Sequence, residues 1–377
     1  MMDPTLRSAL ADVFLTSHDD GVARVIGLPS AADPRVILPG RGGRATADIL
    51  RGQYAGGGLA RRAKTTVVGT LVASGLARFV PPWRAEIDTS GSEPSLRDWI
   101  GRTLGTPHRV GIVLVGPPRA NRKPVVMIVD GDRKLVAVAK IGYNEVTRPL
   151  VRHEAKALSD VASFLADRIH VPRLLDARRF GETEAMLMAP LPAIDTSRRI
   201  SREVLVDVVD RISAVHGEPA PLTRTLGHER LAPLASVVPG IQSRTAHVPV
   251  GAIHGDLHPG NLATALDGRP VLWDWERWSH GVPRGFDLLH HDLQTWITID
   301  GVAPREASKR LVASAPGILA ALGVSNEAAP DVARDYLVRL AARYVADAQD
   351  QAGSRLGAVE EWLFPAVLDD RRDKEHP

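Results

Sequence analysis

The chain contains no cysteine in 377 residues. That excludes disulfide scaffolds, thiolate metal sites and cysteine nucleophiles, and it fits a reducing, cytoplasmic setting. Long apolar runs are missing too. The longest uncharged stretches, near Thr65–Ala77 and Val312–Asn326, fall short of the roughly 18 apolar residues that a membrane span needs. The first residues, MMDPTLRSALADVF, lack the basic-then-apolar layout of a secretory leader, so no membrane association is expected. There is no internal repeat and no long low-complexity tract. A strong charge imbalance is also absent: the net charge is +3 from 47 basic and 44 acidic residues, which gives little reason to expect a nucleic-acid partner.

What is present looks globular. The chain is 44% hydrophobic and 24% charged, and its length predicts two or three folding units. Charge is uneven along it: residues 101–198 hold an excess of six positive charges, and residues 286–377 an excess of five negative ones. A basic middle and an acidic end would suit a phosphate donor and a cationic acceptor, although differing solvated faces would give the same counts.

The stretch DTSGSEPS at 88–95 reads as a linker. Before it, residues 1–92 form an arginine-rich segment with an apolar run at Val36–Leu38 and helical stretches near 45–54 and 61–80. Its apolar content predicts a packed cap of unassigned role. After it come a short helix at Leu96–Leu104 and strands at Arg109–Val115, Pro124–Asp130 and Leu135–Ile141, the last two joined at Gly131-Asp132. A helix at Thr147–Leu165 follows, then strand-like runs at His170–Leu175 and Glu184–Met188. The prolines of Ala189-Pro190-Leu191-Pro192 break regular structure. From Ser201 onward the pattern is mostly helical. The expected plan is α+β and two-lobed: a small antiparallel-sheet lobe over 93–190, a helical lobe over 191–368, and a charged tail at 369–377.

The most informative residues are His254-Gly-Asp256-Leu-His258-Pro-Gly-Asn261. They fit the His-x-Asp-x-x-x-x-Asn pattern of phosphoryl-transfer loops, in which a carboxylate receives the acceptor hydroxyl and an amide oxygen holds a metal. Five fixed residue types in HGDLHPGN, at roughly one in twenty each, make a chance match in this length on the order of one in ten thousand. Pro259-Gly260 predicts a turn that brings Asp256 and Asn261 to one mouth. Val271-Leu-Trp-Asp274-Trp-Glu276 then places a second acid at the end of a buried strand. A hairpin through Leu262–Asp267 and Gly268–Pro270 returns Asp274 beside Asp256, and such oxygen ligands suit Mg²⁺. Upstream, Lys140 ends the apolar run from Leu135. On the next helix Val151, Glu154, Leu158, Val161 and Leu165 follow 3,4,3,4 spacing. Glu154 therefore sits in an apolar stripe, where a carboxylate needs a partner.

HGDLHPGN followed by LWDWE resembles the aminoglycoside phosphotransferase and choline kinase group, over about residues 105–350. The resemblance implies a protein-kinase-like fold, with residues 1–92 left as an N-terminal extension. It implies ATP and Mg²⁺, with Asp256 as catalytic base, His254 buttressing the loop, and Asn261 and Asp274 binding the metal. Glu276 would support that metal site. Lys140 and Glu154 would be the pair that grips the donor phosphates. Asp287, in Gly285-Phe-Asp287-Leu, would be structural. Adenine is expected against the hinge near Met186–Leu191, Met188 included. The family's Gly-rich phosphate loop is missing. Gly116-Pro-Pro-Arg119-Ala-Asn121-Arg122-Lys123 stands in its place, so Arg119 and Asn121 are candidates for phosphate contact.

The expected function is thus phosphoryl transfer to a hydroxyl of a small molecule. The acidic surplus, with Asp292, Asp300, Asp331 and Asp335 on or near the last helices, favours an amino sugar, aminoglycoside or amino alcohol, and a neutral sugar stays open. Trp278 and Trp296 are candidates for its pocket or for plain core. Two other readings compete. One is a nucleotide-binding module without catalysis. The other is a metal-dependent hydrolase using His254, Asp256, His258 and His290-His291-Asp292.

Overall fold

The computed structural model describes residues 4–14, 22–40, 43–53, 59–89, 96–116, 119, 121–215, 229–350 and 356–368. Most of the expected linker, Pro117, Pro118 and Ala120, the end of the expected helix at His216, and the tail 369–377 lie outside the described residues. The chain divides into two compact units: Met1–Ser159 with Pro172–Leu191, and Asp160–Val171 with Pro192–Pro377. One is built on an antiparallel sheet and the other is mainly helical, which is the α+β class expected.

Among the described residues the first unit holds eight strands: β1 (Val22–Leu28), β2 (Val36–Pro39), β3 (Arg84–Asp88), β4 (His108–Leu114), β5 (Val125–Asp130), β6 (Leu135–Gly142), β7 (Leu174–Phe180) and β8 (Thr183–Met188). They form one antiparallel sheet in the order β3-β1-β2-β4-β5-β6-β8-β7. Residues 22–88 therefore continue the sheet through the β2–β4 pairing. Its side chains alternate between two cores, as the strand period requires. Val25, Ile37, Val113 and Ile128 face a core that includes Leu6 and Leu10 of helix α1 (Pro4–Phe14) and Trp99 of another short helix. Ile26, Leu38, Ile112 and Met127 face a second core with Ala47 and Leu50 of helix α2 (Arg44–Gln53) and Val72 of helix α3 (Leu59–Ala73). Trp99 belongs to α4 (Leu96–Leu104), and its indole N–H donates to Asp176 at 2.6 Å.

Helix α5 (Thr147–Leu165) starts at a local cap: Asn144 Oδ1 accepts the Thr147 N–H at 2.8 Å. Its apolar stripe is buried, with Val151, Leu158, Val161 and Leu165 each at most 1% exposed.

The second unit contains α6 (Arg202–Ser213), α7 (Val238–Thr245), α8 (Phe286–Thr298), α9 (Pro304–Leu319), α10 (Ala329–Ala346) and α11 (Val359–Val367). Two small antiparallel ribbons carry the loops: β9 (Val250–Ile253) with β12 (Ser279–Pro283), and β10 (Leu262–Thr264) with β11 (Pro270–Leu272).

One expected strand is divided. His170–Leu175 reads as a single run, but β7 begins at Leu174. His170 instead bridges β11, donating to Pro270 O at 2.8 Å and accepting from Leu272 N at 2.9 Å. Pro172 between them has no N–H for a ladder, so the run splits there. No helix among the described residues is long and apolar enough to cross a membrane.

Candidate active site

The second unit folds His254–Asn261 into a tightly tethered loop after β9. Asp287, in the first turn of α8, accepts the His254 N–H at 2.7 Å and the Gly255 N–H at 2.9 Å. Gly255 is in the left-handed region at φ 82°, and a Cβ there would lie 2.2 Å from Arg277 O, so only glycine fits. The Asp256 N–H donates to His254 Nδ1 at 3.2 Å, which makes that nitrogen the acceptor. Nε2 then carries the proton and donates to Trp273 O at 3.0 Å. Burial lowers the His254 pKa to about 4, so the ring is neutral at pH 7 and acts as a brace. The expected turn is present: Asn261 N–H donates to His258 O at 2.9 Å.

Asp256 is surrounded by groups from elements far apart in sequence. His290 Nε2, from α8, lies 3.2 Å from Oδ1, and Arg343 Nη2, from α10, lies 3.6 Å from the same oxygen. His258 Nε2 is 3.8 Å from Oδ2. Burial alone would raise the Asp256 pKa, but His290, Arg343 and His258 together hold it well below the usual carboxylate range. Burial also lowers His290 to about 4, and its Nδ1 sits 2.9 Å from the Tyr336 hydroxyl. A neutral ring accommodates both contacts, with Tyr336 donating to Nδ1 and Nε2–H facing Asp256. Arg343 Nη1 also donates to Gly255 O at 2.5 Å. The sequence gives no sign of Arg343 or Tyr336, and it offers His290 only as a zinc ligand.

Asn261 donates from Nδ2 to Asp256 O at 2.9 Å and to Asp256 Oδ2 at 3.2 Å, which leaves its amide oxygen turned to the other side. The hairpin does what the spacing predicts. Leu262 pairs with Leu272, and the Trp273 N–H donates to Asn261 O at 3.2 Å, so Asp274 emerges next to Asn261. Asp274 is itself left-handed at φ 72°, a conformation that aspartate tolerates better than most residues and that turns the chain out of the strand. Carboxylate oxygens of Asp274 and Glu276 lie within 4.8 Å of each other. The donors here are all oxygens, the set a hard cation such as Mg²⁺ takes.

In the first unit Lys140 and Glu154 meet. Lys140 Nζ donates to Oε1 at 2.6 Å and Oε2 at 2.8 Å, with Lys140 8% and Glu154 0% exposed. Met188 is buried at the end of β8, in register with Val138 and Leu174. The neighbouring Ala189 N–H is taken by Arg173 O, so it offers no donor to a base at the hinge. Arg119 is exposed and Asn121 half-buried. Arg122 has a structural role: it donates to Pro34 O at 2.6 Å and Val115 O at 3.2 Å, tying its loop to the sheet.

The acids behind the charge argument for a cationic acceptor are mostly matched. Asp292 pairs with Arg202, Asp331 with Arg244 and Arg334, and Asp335 with Arg339. Trp278 is 3% exposed and stacks on Phe164, a core role, while Arg310 lies over Trp296.

Asp287 supplies a prediction. Burial raises its pKa to about 6, above the unfolded value near 3.8. Between those values the folded chain holds a proton that the unfolded chain has released, so this group's contribution falls as pH rises through about 6. Asp287→Asn removes that component. The variant's unfolding free energy should gain on the native protein's from about pH 4 to 6 and level off above; parallel pH profiles from urea unfolding would refute the assignment.

No protein-family model matches the sequence, and no curated protein does. Solved structures with similar folds include an aminoglycoside phosphotransferase from Streptomyces rimosus in complex with ADP and streptomycin (18% identity, 56% of this chain and 90% of that one, TM-score 0.39). A second is LicA in complex with AMP (16% identity, 72% and 95%, TM-score 0.48). A third is a putative fructosamine-3-kinase from Haemophilus somnus (13% identity, 66% and 88%, TM-score 0.43).

Proposed function

We infer that the chain is an ATP- and Mg²⁺-dependent phosphotransferase acting on a hydroxyl of a small molecule. The observation that carries this reading is the loop around Asp256: a carboxylate held ionised by His290 and Arg343, with Asn261 bonded to it and Asp274 delivered alongside by the β10–β11 hairpin. The acceptor oxygen forms a bond to the γ-phosphorus as the bond from that phosphorus to the departing ADP oxygen breaks. The hydroxyl proton passes to Asp256. Because its pKa is low, Asp256 acts mainly by orienting the hydroxyl and receives the proton late.

Asn261 Oδ1 and the Asp274 carboxylate would hold Mg²⁺, with Glu276 behind them. The ion supplies neutralisation of charge on the phosphate oxygens. In the first unit, Lys140 binds the donor phosphates and Glu154 fixes its position. Arg119 and Asn121 contribute to the phosphate loop, and Met188 lines the adenine side. The described part of residues 1–92 serves this reading by extending the nucleotide-binding sheet with β1, β2 and β3. A zinc hydrolase is disfavoured because both ring nitrogens of His254 are already engaged.

Asp274→Ala tests the metal site. The variant should bind ATP more weakly and lose the gain in affinity that Mg²⁺ gives the native protein. A nucleotide titration with and without Mg²⁺ reads this directly. Wild-type metal dependence in the variant would place the metal elsewhere.

A further inference from the structure

The second unit contains a cavity of about 200 Å³ that no residue of the proposed machinery requires. Three of its walls, Gly255, His290 and Arg343, are the direct neighbours of Asp256. Two more arginines, Arg277 and Arg339, complete a cluster of three guanidinium groups around it. Their side chains are only 16 to 21% exposed. At about 30 Å³ per water, the space equals roughly seven waters, enough for one sugar ring or a short polyol chain.

The acids nearby are committed elsewhere. Asp287, the one acid in the wall, uses its two oxygens on the His254 and Gly255 N–H groups. Asp347 and Glu276 pair with Arg277 and Asp335 with Arg339, and none of these acids lines the cavity. A guanidinium has five N–H donors in a fixed fork, so Arg277 can hold a ligand beside the carboxylates it already pairs with. The rest of the wall is partly apolar, with Phe286 and Leu340 able to carry a carbon skeleton.

We propose that the acceptor is a small hydroxylated anion, a sugar acid or sugar phosphate, whose anionic group binds Arg277 and Arg343 in this cavity while its hydroxyl meets Asp256. This rests on the reading of Asp256 as the residue that receives the acceptor hydroxyl. It reverses the preference that residue counts give. None of the acids named for it, Asp292, Asp300, Asp331 and Asp335, lines the cavity, whose charged wall residues are Arg277, Arg339, Arg343 and the already engaged Asp287.

The test has two independent readouts. In the first, ATP turnover is compared for glucose, glucosamine, gluconate and glucose 6-phosphate. In the second, binding of gluconate and of glucose 6-phosphate is measured by calorimetry without nucleotide. The binding series uses the native protein, Arg277→Gln, and a double variant, Arg277→Gln with Asp347→Asn, which neutralises the nearest carboxylate partner of Arg277 together with it.

One of the two anions is expected to give the highest kcat/KM, and which one wins identifies the carboxylate or the phosphate as the anchor. Both Arg277 variants should bind it about tenfold to a hundredfold more weakly, the loss of a charge-assisted hydrogen bond. Preference for glucose or glucosamine would overturn the proposal while leaving phosphotransfer intact. Anion affinity unchanged in both variants, or no anion binding up to about 10 mM, also overturns it. Arginine-dependent anion binding without any ATP turnover would instead keep the anion site and sink the phosphotransfer reading.

Discussion

Asp256→Asn is expected to lower the turnover rate by about 10²–10⁴ while nucleotide affinity barely changes. Asparagine has nearly the same shape, so the loop tethered by Asp287 and His254 should keep its course. What is lost is the negative charge that Arg343 and His290 stabilise, and with it the acceptor for the hydroxyl proton. The low pKa sharpens the expectation. Asp256 is already ionised across the neutral range, so added alkali should not raise the native rate through it, and asparagine, which does not titrate, leaves nothing for a higher pH to restore. Steady-state kinetics with a responsive acceptor and a separate nucleotide titration give the two numbers. Equal turnover in the variant would end the assignment of Asp256.

Much of this site was legible before the structure because its parts are local. Asp256 and Asn261 lie on one loop, and Asp274 follows by way of a hairpin whose turn residues are plain in the sequence. Helix α5 runs over the residues its 3,4,3,4 stripe predicts, and the stripe gives away Glu154. The groups that set the charge state of Asp256 were not legible. His290, Tyr336 and Arg343 come from α8 and α10, and nothing in a helical pattern says which of its residues will meet a loop some 30 to 90 residues away. The sequence offers His290 only beside His291 and Asp292, as part of a metal site. In the structure its partners are the Tyr336 hydroxyl and the Asp256 carboxylate.

The N-terminal segment shows a different limit. β1 is buried from Ala23 to Gly27 apart from Arg24, because helices cover both faces of its sheet. A strand covered on both sides loses the apolar–polar alternation by which a half-exposed strand announces itself. Charge counting failed for a related reason. Counts ignore pairing, and Asp331 and Asp335 face arginines one turn away on the same helix.

Lys140→Ala should abolish activity, and the burial of Glu154 adds a second effect that sequence alone did not anticipate. Glu154 is fully buried and both its oxygens accept from Lys140 Nζ. Deleting the lysine strands a carboxylate in the interior, at a cost of about 3–5 kcal/mol in measured cases. The single variant should therefore unfold at clearly lower denaturant concentration than the native protein, and its inactivity alone would prove little. Lys140→Met combined with Glu154→Leu separates the two effects. Replacing a buried ion pair by apolar residues of similar volume is often neutral or stabilising, so the double variant should recover stability. Its activity should stay lost, because neither side chain can meet a phosphate. Glu154→Ala alone should reduce activity less than Lys140→Ala, since the ammonium keeps its charge and loses only its anchor. A double variant that folds and turns over like the native protein would show that the pair holds the sheet to α5 and has no part in gripping the donor.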